Sequence, residues 1–382
     1  MAKKAKGKIK LQTESALRKK YAGSGNAKEI LVAPEDMLWI PSRFLALNDQ
    51  WGGGIPYGKV VEVFGEESSG KSLIAFDFSY CTQALGGVVL WADAEFAFMR
   101  GWAEKNGIDL KDVELYPEKA IELISDWSMD MGIYWRSKLT NNEPILLVVD
   151  SIAALECLEN LNSSQVDSKA EMGNRAKQMD KWLRTRNGSY EEIGMSAILI
   201  NQLRSKIGAS QFEDPDTTPG GKATRFYASI RVGVYGGKQI TKKIKGKDRR
   251  IGRVTSIRIK KNKVAPPKPT LKSAEVFFTD EGGNEIGFNR YFGLADLLVE
   301  KDVLTRKKGS SRFYLGDKMI ANGEEALIKK LQEDGDLRKK LIRKSGINTI
   351  SRTQKQLDKL SKNLYPIKTT EFEKHIEIED EE

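Results

Sequence analysis

A glycine-rich segment at residues 65–72 carries the clearest chemistry in this sequence. It reads GEESSGKS, which fits the pattern G-x-x-x-x-G-K-[ST] in full, and it separates a short apolar run from an amphipathic stretch. In such a loop the backbone N–H groups converge on phosphate oxygens, and the dipole of the following helix favours negative charge. A chance Gly-Lys turn is the alternative. The pattern predicts a phosphate-binding loop made of Gly65, Glu66, Glu67, Ser68, Ser69, Gly70, Lys71 and Ser72.

Two side chains of this loop would act directly on a bound nucleotide. Lys71 would reach the β- and γ-phosphates of ATP, and the Ser72 hydroxyl would coordinate Mg²⁺. The apolar run at residues 145–149 ends in Asp150, whose carboxylate would hold the same metal ion through water. Capping of the following turn is the other role open to Asp150. We therefore expect ATP and Mg²⁺ as cofactors.

Glu95 is the candidate for activating water. It follows the apolar run VVLWADA and would lie at the same sheet edge as Asp150. From there its carboxylate would orient or deprotonate the attacking water. Because acids are common at protein surfaces, an ordinary exposed carboxylate remains the alternative for Glu95.

The elements that must position these groups are short runs rich in β-branched residues, separated by helical stretches. Continuous apolar strands with this spacing are typical of a parallel sheet covered on both faces, which predicts an α/β fold. Two further strands flank a basic insert and predict an antiparallel hairpin with a mobile tip. The predicted strands are 60–64, 88–92, 145–149, 197–200, 228–235 and 254–260, and the predicted helices include 71–84, 176–186, 294–299, 326–332 and 337–344.

Composition excludes several classes of protein. The chain has 382 residues, of which 40% are hydrophobic, and this is enough for a sizeable core. Two cysteines, Cys81 and Cys157, cannot form a disulfide framework, so we expect buried thiols. A single histidine, His375, argues against zinc-finger or histidine-triad chemistry. No apolar run approaches the ~18 residues of a membrane span and no secretory signal is present, so we expect a cytoplasmic protein without membrane contact.

Charge is unevenly distributed along a chain whose net charge is +10. Basic residues dominate 1–22 and 238–263, whereas acidic residues dominate 371–382. A basic arm and a basic centre favour a polyanionic partner such as DNA, and an acidic tail would compete for the same basic surface. Taken singly, each run could instead be a solvated face.

Together these stretches make the sequence resemble the RecA family of ATP-dependent DNA recombinases. The resemblance extends over roughly residues 28–335 and depends most on the EESSGK loop, the NQ-x-R-x-K-x-G segment and the K-N-K-x-A-x-P segment. Archaeal recombinases and hexameric helicases share the core fold but usually lack that combination. The matching segments are GEESSGKS (65–72), ADAE (92–95), LLVVDSIAAL (146–155), INQLRSKIG (200–208), TTPGGKATRFYASIR (217–231) and KKNKVAPP (260–267).

The resemblance implies roles for residues around the nucleotide. Glu95 would be the general base, and Gln202 would sense the γ-phosphate and pass its state to the adjoining DNA loop. Trp102 would stack on adenine, although Met99 stands where the family has an acidic contact to the base. The lysine pair, Lys261 and Lys263, would reach the γ-phosphate of a neighbouring subunit, much as an arginine finger does. Two solvated strand lysines are the alternative.

The resemblance also implies two DNA-binding loops, one after Leu158 and one at 203–221. The first carries a lysine, Lys177, where an arginine is usual, so that a point charge would replace a bidentate contact. Phe226 would contact the neighbouring subunit, or would otherwise be a core residue. The expected DNA-binding residues are Met172, Gly173, Lys177, Arg184, Arg204, Lys206, Gly220 and Gly221, and Phe212 lies in the same second loop.

The expected fold is a RecA-like ATPase core, with a mostly parallel sheet, between a basic arm and a small α+β domain. The expected protein is a DNA-dependent ATPase that forms helical filaments on single-stranded DNA and exchanges strands with duplex DNA. A paralogue or hexameric helicase-type motor without strand exchange is the alternative, and a DNA-coating protein with an inactive ATP site is a third. Met99, Lys177 and the long hairpin are consistent with a phage-encoded member in a host cytoplasm. The expected divisions are an arm at 1–36, the core at 37–284, the small domain at 285–365 and an acidic tail at 366–382.

Overall fold

A computed structural model of the chain describes residues 37–139, 143–162, 168–205, 216–266, 268–281, 283, 285–347 and 349. The chain divides into two compact units, Met1–Met37 and Leu38–Glu382, and every element given below lies in the second. The basic arm, the acidic tail and His375 lie outside the described residues. Within the described ranges, no helix combines the length and the apolar character needed to cross a membrane.

Strands and helices alternate along most of the described chain. The strands are β1 (Trp39–Ile40), β2 (Ile55–Pro56), β3 (Val60–Gly65), β4 (Val88–Asp93), β5 (Val113–Tyr116), β6 (Ile145–Asp150), β7 (Met195–Gln202), β8 (Arg204–Ser205), β9 (Asp216–Thr217), β10 (Ile230–Ile244), β11 (Lys247–Asn262), β12 (Leu271–Phe277), β13 (Gly287–Phe288), β14 (Arg312–Leu315) and β15 (Lys318–Asn322). The α-helices are α1 (Leu45–Trp51), α2 (Lys71–Ala84), α3 (Arg100–Lys105), α4 (Ile121–Lys138), α5 (Leu158–Leu161), α6 (Ser168–Glu192), α7 (Ala223–Tyr227), α8 (Leu294–Glu300), α9 (Glu324–Glu333) and α10 (Gly335–Ser345).

A nine-stranded sheet organises the molecule, in the order β13-β12-β11-β10-β3-β7-β6-β4-β5. The pairs from β10 through β3, β7, β6 and β4 to β5 are parallel, whereas β10, β11, β12 and β13 pair antiparallel. The α/β fold class with a mostly parallel central sheet is therefore confirmed.

Successive residues of the central strands enter two different hydrophobic clusters, one on each face of the sheet. In β6, Leu146 and Val148 belong to one cluster, and Leu147 and Val149 belong to the other. Helix α2 packs into the first cluster and α6 into the second, so both faces are covered. This double coverage explains why the strands are apolar at every position rather than at alternate ones. The two free thiols, Cys81 and Cys157, are buried as expected.

The parallel register brings the polar strand ends to one edge. Asp93 at the end of β4 pairs with Asp150 at the end of β6, and Gly65 at the end of β3 pairs with Gln202 at the end of β7. Because parallel strands place their carboxyl ends together, residues far apart in sequence meet at this edge.

Strands β10 and β11 form a long antiparallel hairpin, which confirms the predicted pairing. The strands extend beyond the predicted 228–235 and 254–260, since the basic insert is itself part of the hairpin and pairing continues along it to Ile244 and Lys247. The turn lies at Lys245 and Gly246, both of which have positive φ. Threonine, isoleucine and long basic side chains suit an exposed two-stranded ribbon, so the insert extends the strands.

The C-terminal elements enclose a third hydrophobic cluster, made chiefly of residues from Leu294 to Leu341 together with Leu45 of α1. Helices α8, α9 and α10 occupy nearly the ranges predicted for them, and β14 pairs with β15 beside them. A separate domain beginning near residue 285 remains a prediction.

Candidate functional site

The phosphate loop (residues 65–72) joins β3 to α2. Gly70 has a φ of 103°, in the region that favours glycine, and it immediately precedes the first residue of α2. A Cβ at Gly65 would lie 2.1 Å from the carbonyl oxygen of Val234, so a side chain there would collide with β10. The backbone conformation of the loop therefore requires glycine at both positions. This conformation directs the free N–H groups at the start of α2 towards the interior of the loop.

Lys71 folds back over the loop. Its Nζ donates hydrogen bonds to the carbonyl oxygens of Gly65, at 3.1 Å, and Glu66, at 2.6 Å. Burial lowers the pKa of Lys71, while the carboxylates of Asp150 and Glu95 act in the opposite direction. The ammonium group thus lies beside the two acidic groups and within the loop that would receive phosphates.

Ser72 and Asp150 contact each other directly, through a hydrogen bond of 2.9 Å from Ser72 Oγ to Asp150 Oδ2. Burial raises the pKa of Asp150 to about 6, and the nearby carboxylates of Glu95 and Asp93 add to the rise, whereas the Ser72 hydrogen bond opposes it. A cation here would relieve this repulsion, and a hydroxyl beside a carboxylate is a donor set that suits Mg²⁺. The residues therefore fit a magnesium-bound nucleotide.

Glu95 is held by the turn after β4. The N–H groups of Ala94 and Glu95 donate to the Asp150 carbonyl oxygen at 2.9 and 3.2 Å. The carboxylate of Asp93 accepts from the N–H groups of Ala97, at 3.0 Å, and Phe98, at 2.9 Å. This turn leaves Glu95 exposed, with Oε1 accepting hydrogen bonds from Ser151 Oγ and from Gln202 Nε2.

Gln202 lies between the phosphate loop and the second predicted DNA loop. Leu203 N–H donates to the Gly65 carbonyl oxygen at 2.9 Å, and the N–H of Gln202 itself donates to Asn201 Oδ1 at 2.9 Å. Asn201 is buried and its Nδ2 donates to Glu62 and to the carbonyl oxygen of Pro219. Gln202 is therefore linked through Asn201 to Pro219, the residue before Gly220.

Trp102 and Met99 lie at α3, away from the Glu95 contacts. Trp102 is half-buried and packs against the first hydrophobic cluster. Met99 immediately precedes the helix, and its side chain is 62% exposed. Trp102 therefore exposes only part of its ring, and Met99 next to it exposes an apolar side chain.

The lysine pair contacts α7 rather than the phosphate loop of its own chain. Lys261 Nζ donates to the carbonyl oxygens of Arg225, at 2.6 Å, and Phe226, at 2.9 Å, and Lys263 Nζ lies 5.9 Å from the centre of the Phe226 ring. Phe226 is 69% exposed, so the core alternative for it is wrong. Half-buried Lys261 thus lies against the backbone of α7, beside the exposed side chains of Phe226 and Lys263.

The first predicted DNA loop is largely helical. Helix α6 begins at Ser168, eight residues before the predicted start, because its residues are mostly good helix formers despite Gly173. Gly173, Lys177 and Arg184 are exposed along it. The backbone of Met172 belongs to the same helix, and its side chain lies outside the described part.

The second predicted DNA loop is described only at its two ends. Arg204 is exposed on β8, which pairs antiparallel with β9. Gly220 and Gly221 both have positive φ, and a Cβ on Gly221 would lie 3.2 Å from Ala176 of α6. This glycine turn therefore packs against the helix that carries Lys177. Lys206 and Phe212 lie outside the described residues.

Sequence reasoning missed several residues of the site. Ser151 could have been found, because it follows Asp150 directly. Buried Glu62 forms an ion pair with Arg231 and orients Asn201, and no local pattern marks this pair. Arg253 contacts the phosphate loop from β11, and only the fold brings it there.

Comparison with known proteins gives one consistent family. Residues 19–282 match the family model described as the RecA N-terminal domain. The chain is 33% identical over 317 residues to Protein RecA of Porphyromonas gingivalis, covering 81% of this chain and 85% of the relative. It is 38% identical over 317 residues to Protein RecA of Rhodococcus jostii, covering 81% and 84%, and 35% identical over 335 residues to that of Bifidobacterium longum, covering 86% and 78%.

Proposed function

Because the chain belongs to the RecA family of DNA recombinases, we propose that it hydrolyses ATP at the edge formed by the phosphate loop, Glu95 and Asp150, and that DNA stimulates this hydrolysis. As a member of that family, it forms helical filaments on single-stranded DNA and catalyses homologous pairing and strand exchange in recombination and repair. The observation that carries the ATPase proposal is the contact network at one sheet edge, from Ser72 to Asp150 and from Glu95 to Gln202.

Each group at this edge has one task in the proposal. The loop N–H groups and Lys71 bind the phosphates, and Ser72, with Asp150 acting through water, would hold Mg²⁺. The metal ion would supply positive charge to the phosphate oxygens. Glu95 accepts the proton of the attacking water, and Gln202 responds to whether the γ-phosphate is present. Trp102 contacts the adenine.

DNA binding is assigned to α6 and to the second loop. Exposed Lys177, Arg184 and Arg204 supply positive charge, and the peptide group of exposed Gly173 can approach the DNA backbone closely because no side chain intervenes, whereas Gly220 is buried and shapes the turn before Gly221. Met172, Lys206 and Gly221 complete the proposed set. Contacts of this kind bind single- and double-stranded DNA with little sequence preference.

Self-assembly is assigned to the group of Phe226, Lys261 and Lys263. A large exposed aromatic ring close to two lysines suits a protein interface at which the lysines meet phosphate. In this proposal, the lysine pair of one subunit completes the nucleotide site of its neighbour. The cytoplasm, or the host cytoplasm for a phage-encoded protein, supplies both ATP and DNA.

Electron microscopy tests the assembly part of the proposal. Wild-type protein with single-stranded DNA, Mg²⁺ and a non-hydrolysable ATP analogue should form helical filaments, and closed rings would contradict the proposed assembly.

Nucleotide binding tests the proposed ATP site. Lys71→Ala should abolish binding, because the phosphates lose their cation from the same chain. Lys329→Ala, on an exposed face of α9, is the matched control. Unchanged affinity in Lys71→Ala would remove the assignment of the loop.

A further inference from the structure

Arg253 of β11 contacts the phosphate loop from outside. Its Nη1 donates to the carbonyl oxygen of Ser68 at 3.1 Å and lies 3.5 Å from that of Glu67. Its Nη2 is 3.4 Å from the carbonyl oxygen of Gly237 on β10. One guanidinium group thus joins the base of the hairpin to the middle of the loop, and it does so as a charged donor, the stronger class of hydrogen bond.

The loop needs support at this point. Ser68 has a φ of 54°, a left-handed conformation that costs a non-glycine residue free energy. The side chain of Thr255, also on β11, donates to the neighbouring Ser69 carbonyl oxygen at 3.3 Å. Because a trans peptide is planar, holding the carbonyl groups of Ser68 and Glu67 also fixes the N–H groups of Ser69 and Ser68 on the opposite sides of those peptides. The N–H groups of this loop are those expected to meet phosphate.

The hairpin is built to admit the guanidinium group. Opposite Arg253 the pairing shifts between Gly236 and Gln239, which is a β-bulge. A Cβ at Gly236 would lie 2.0 Å from Arg253 Nη2, and the three nearest atoms all belong to that guanidinium group. The guanidinium group can therefore occupy this position only because residue 236 is a glycine.

We propose that Arg253 is a positioning residue for nucleotide binding, which holds the Glu67–Ser68 part of the phosphate loop in the conformation that binds phosphate, and that Gly236 is retained to admit it. The motif at 65–72 contains no signal for either residue. The inference rests on the proposed binding of ATP by this loop.

The first test separates positioning from general stability. In Arg253→Ala, KM for ATP should rise about tenfold, the loss expected for hydrogen bonds from a charged donor. The kcat of DNA-stimulated hydrolysis should change little, since Lys71, Ser72 and Glu95 are untouched. Arg253→Lys keeps the charge but not the planar fork, and should recover only part of the affinity. A purely structural role would instead lower the folded fraction and leave KM unchanged.

The second test uses Gly236→Ala as a variant that displaces Arg253 without removing it. The added methyl group meets only the flexible end of the arginine among its nearest atoms, so the fold should persist while KM rises as in Arg253→Ala. In the double variant, Arg253→Ala with Gly236→Ala, the methyl group at position 236 has no guanidinium group to displace. KM should therefore rise no further than in Arg253→Ala alone. Gly188→Ala, on the exposed surface of α6, is the control for a glycine-to-alanine change, because its Cβ would meet no atom within 4 Å.

Binding of a fluorescent ATP analogue with Mg²⁺ provides a direct readout for all variants, and thermal unfolding checks that each is folded. Arg312→Ala, which removes an exposed arginine of β14, controls for the loss of one positive charge. Unchanged affinity in folded Arg253→Ala, or effects of the two single variants that multiply in the double variant, would overturn the inference. A wild-type protein that binds no nucleotide would instead overturn the proposed function.

Discussion

The side-chain amide of Gln202 donates a 3.3 Å hydrogen bond to Oε1 of Glu95. The same oxygen accepts a hydrogen bond from Ser151 Oγ, while Oε2 has no partner among the described side chains and N–H groups. Two donors on one oxygen fix the plane of the carboxylate and leave the other oxygen to contact water. The residue proposed to sense phosphate thus touches the residue proposed to activate water, so one movement of β7 would affect both.

Glu95→Gln should separate DNA binding from hydrolysis. Glutamine keeps the shape of the side chain and its oxygen acceptor but cannot take a proton from water, so kcat should fall about 10²-fold or more. ATP-dependent binding to single-stranded DNA should persist, as measured by fluorescence anisotropy. Glu104→Gln, an exposed acid of α3, should hydrolyse ATP normally. Near-normal turnover in Glu95→Gln would mean that another group activates the water.

Ser151→Ala should lower kcat with little change in KM. The hydroxyl of Ser151 orients the Glu95 carboxylate, and its loss leaves Gln202 as the remaining donor, so a decrease of about fivefold is expected for one hydrogen bond. The decrease in kcat is measured from the steady-state rate of ATP hydrolysis with saturating single-stranded DNA. The matched control is Ser137→Ala, an exposed serine that donates within α4. A change confined to KM would place Ser151 in nucleotide binding instead.

Much of the fold could be predicted because its signals are local. The run at 60–64 is apolar except for Glu62, since both faces of β3 are covered; the strand ends at Gly65, and α2 begins at Lys71 where predicted. The edge shared by Glu95 and Asp150 follows from the parallel order alone. Helix α6 is longer than the predicted range 176–186, because Gly173 and the polar residues around it are typical of a loop.

The supporting contacts could not be predicted, because they depend on register between distant strands. Arg253 reaches Ser68 across 185 positions of the sequence. Glu62 reads as an interruption in an apolar strand, and only the approach of Arg231 and Asn201 explains its burial. The role of Arg253 and the burial of Glu62 each depend on a contact with a distant strand or loop. The residues next to them in the sequence show no pattern that predicts this contact.

Assembly should weaken as the pH rises through the range in which Lys261 titrates. Burial, together with the charges of Lys263 and Arg231, lowers the pKa of Lys261 to about 8. Contact with a neighbour's phosphate would favour the charged form and raise this pKa, so assembly takes up a proton and is favoured at lower pH. Light scattering with an ATP analogue should therefore show weaker assembly as pH increases from about 7 to about 9.

Lys261→Arg identifies the group responsible for this pH dependence. Arginine stays charged throughout the range, so the variant should show a shallower pH dependence even if its assembly is weaker overall. Lys268→Arg is the control, since Lys268 pairs with Asp49 and Glu300 in its own chain. A slope for Lys261→Arg equal to that of the wild type would assign the dependence to another group.

The lysine pair provides the sharpest prediction, because it concerns two chains at once. Lys263→Ala should still bind ATP through its own phosphate loop, yet its DNA-dependent hydrolysis should fall about 10³-fold or more, as expected for a cationic group supplied by a neighbour. Glu95→Gln should be inactive for a different reason. In a mixed filament, one kind of interface combines the loop and Glu95 of a Lys263→Ala subunit with the lysine pair of a Glu95→Gln subunit.

At that interface every proposed group is present, so a mixture of the two inactive variants should regain part of the wild-type ATPase activity. The recovery should depend on the mixing ratio and vanish when either variant is omitted. Doubly substituted subunits, carrying both changes, form no intact interface with themselves and should stay inactive at any concentration. If filaments containing both single variants are verified and remain as inactive as each alone, Lys263 does not act across the interface, and its place beside Phe226 would then serve packing between subunits rather than hydrolysis.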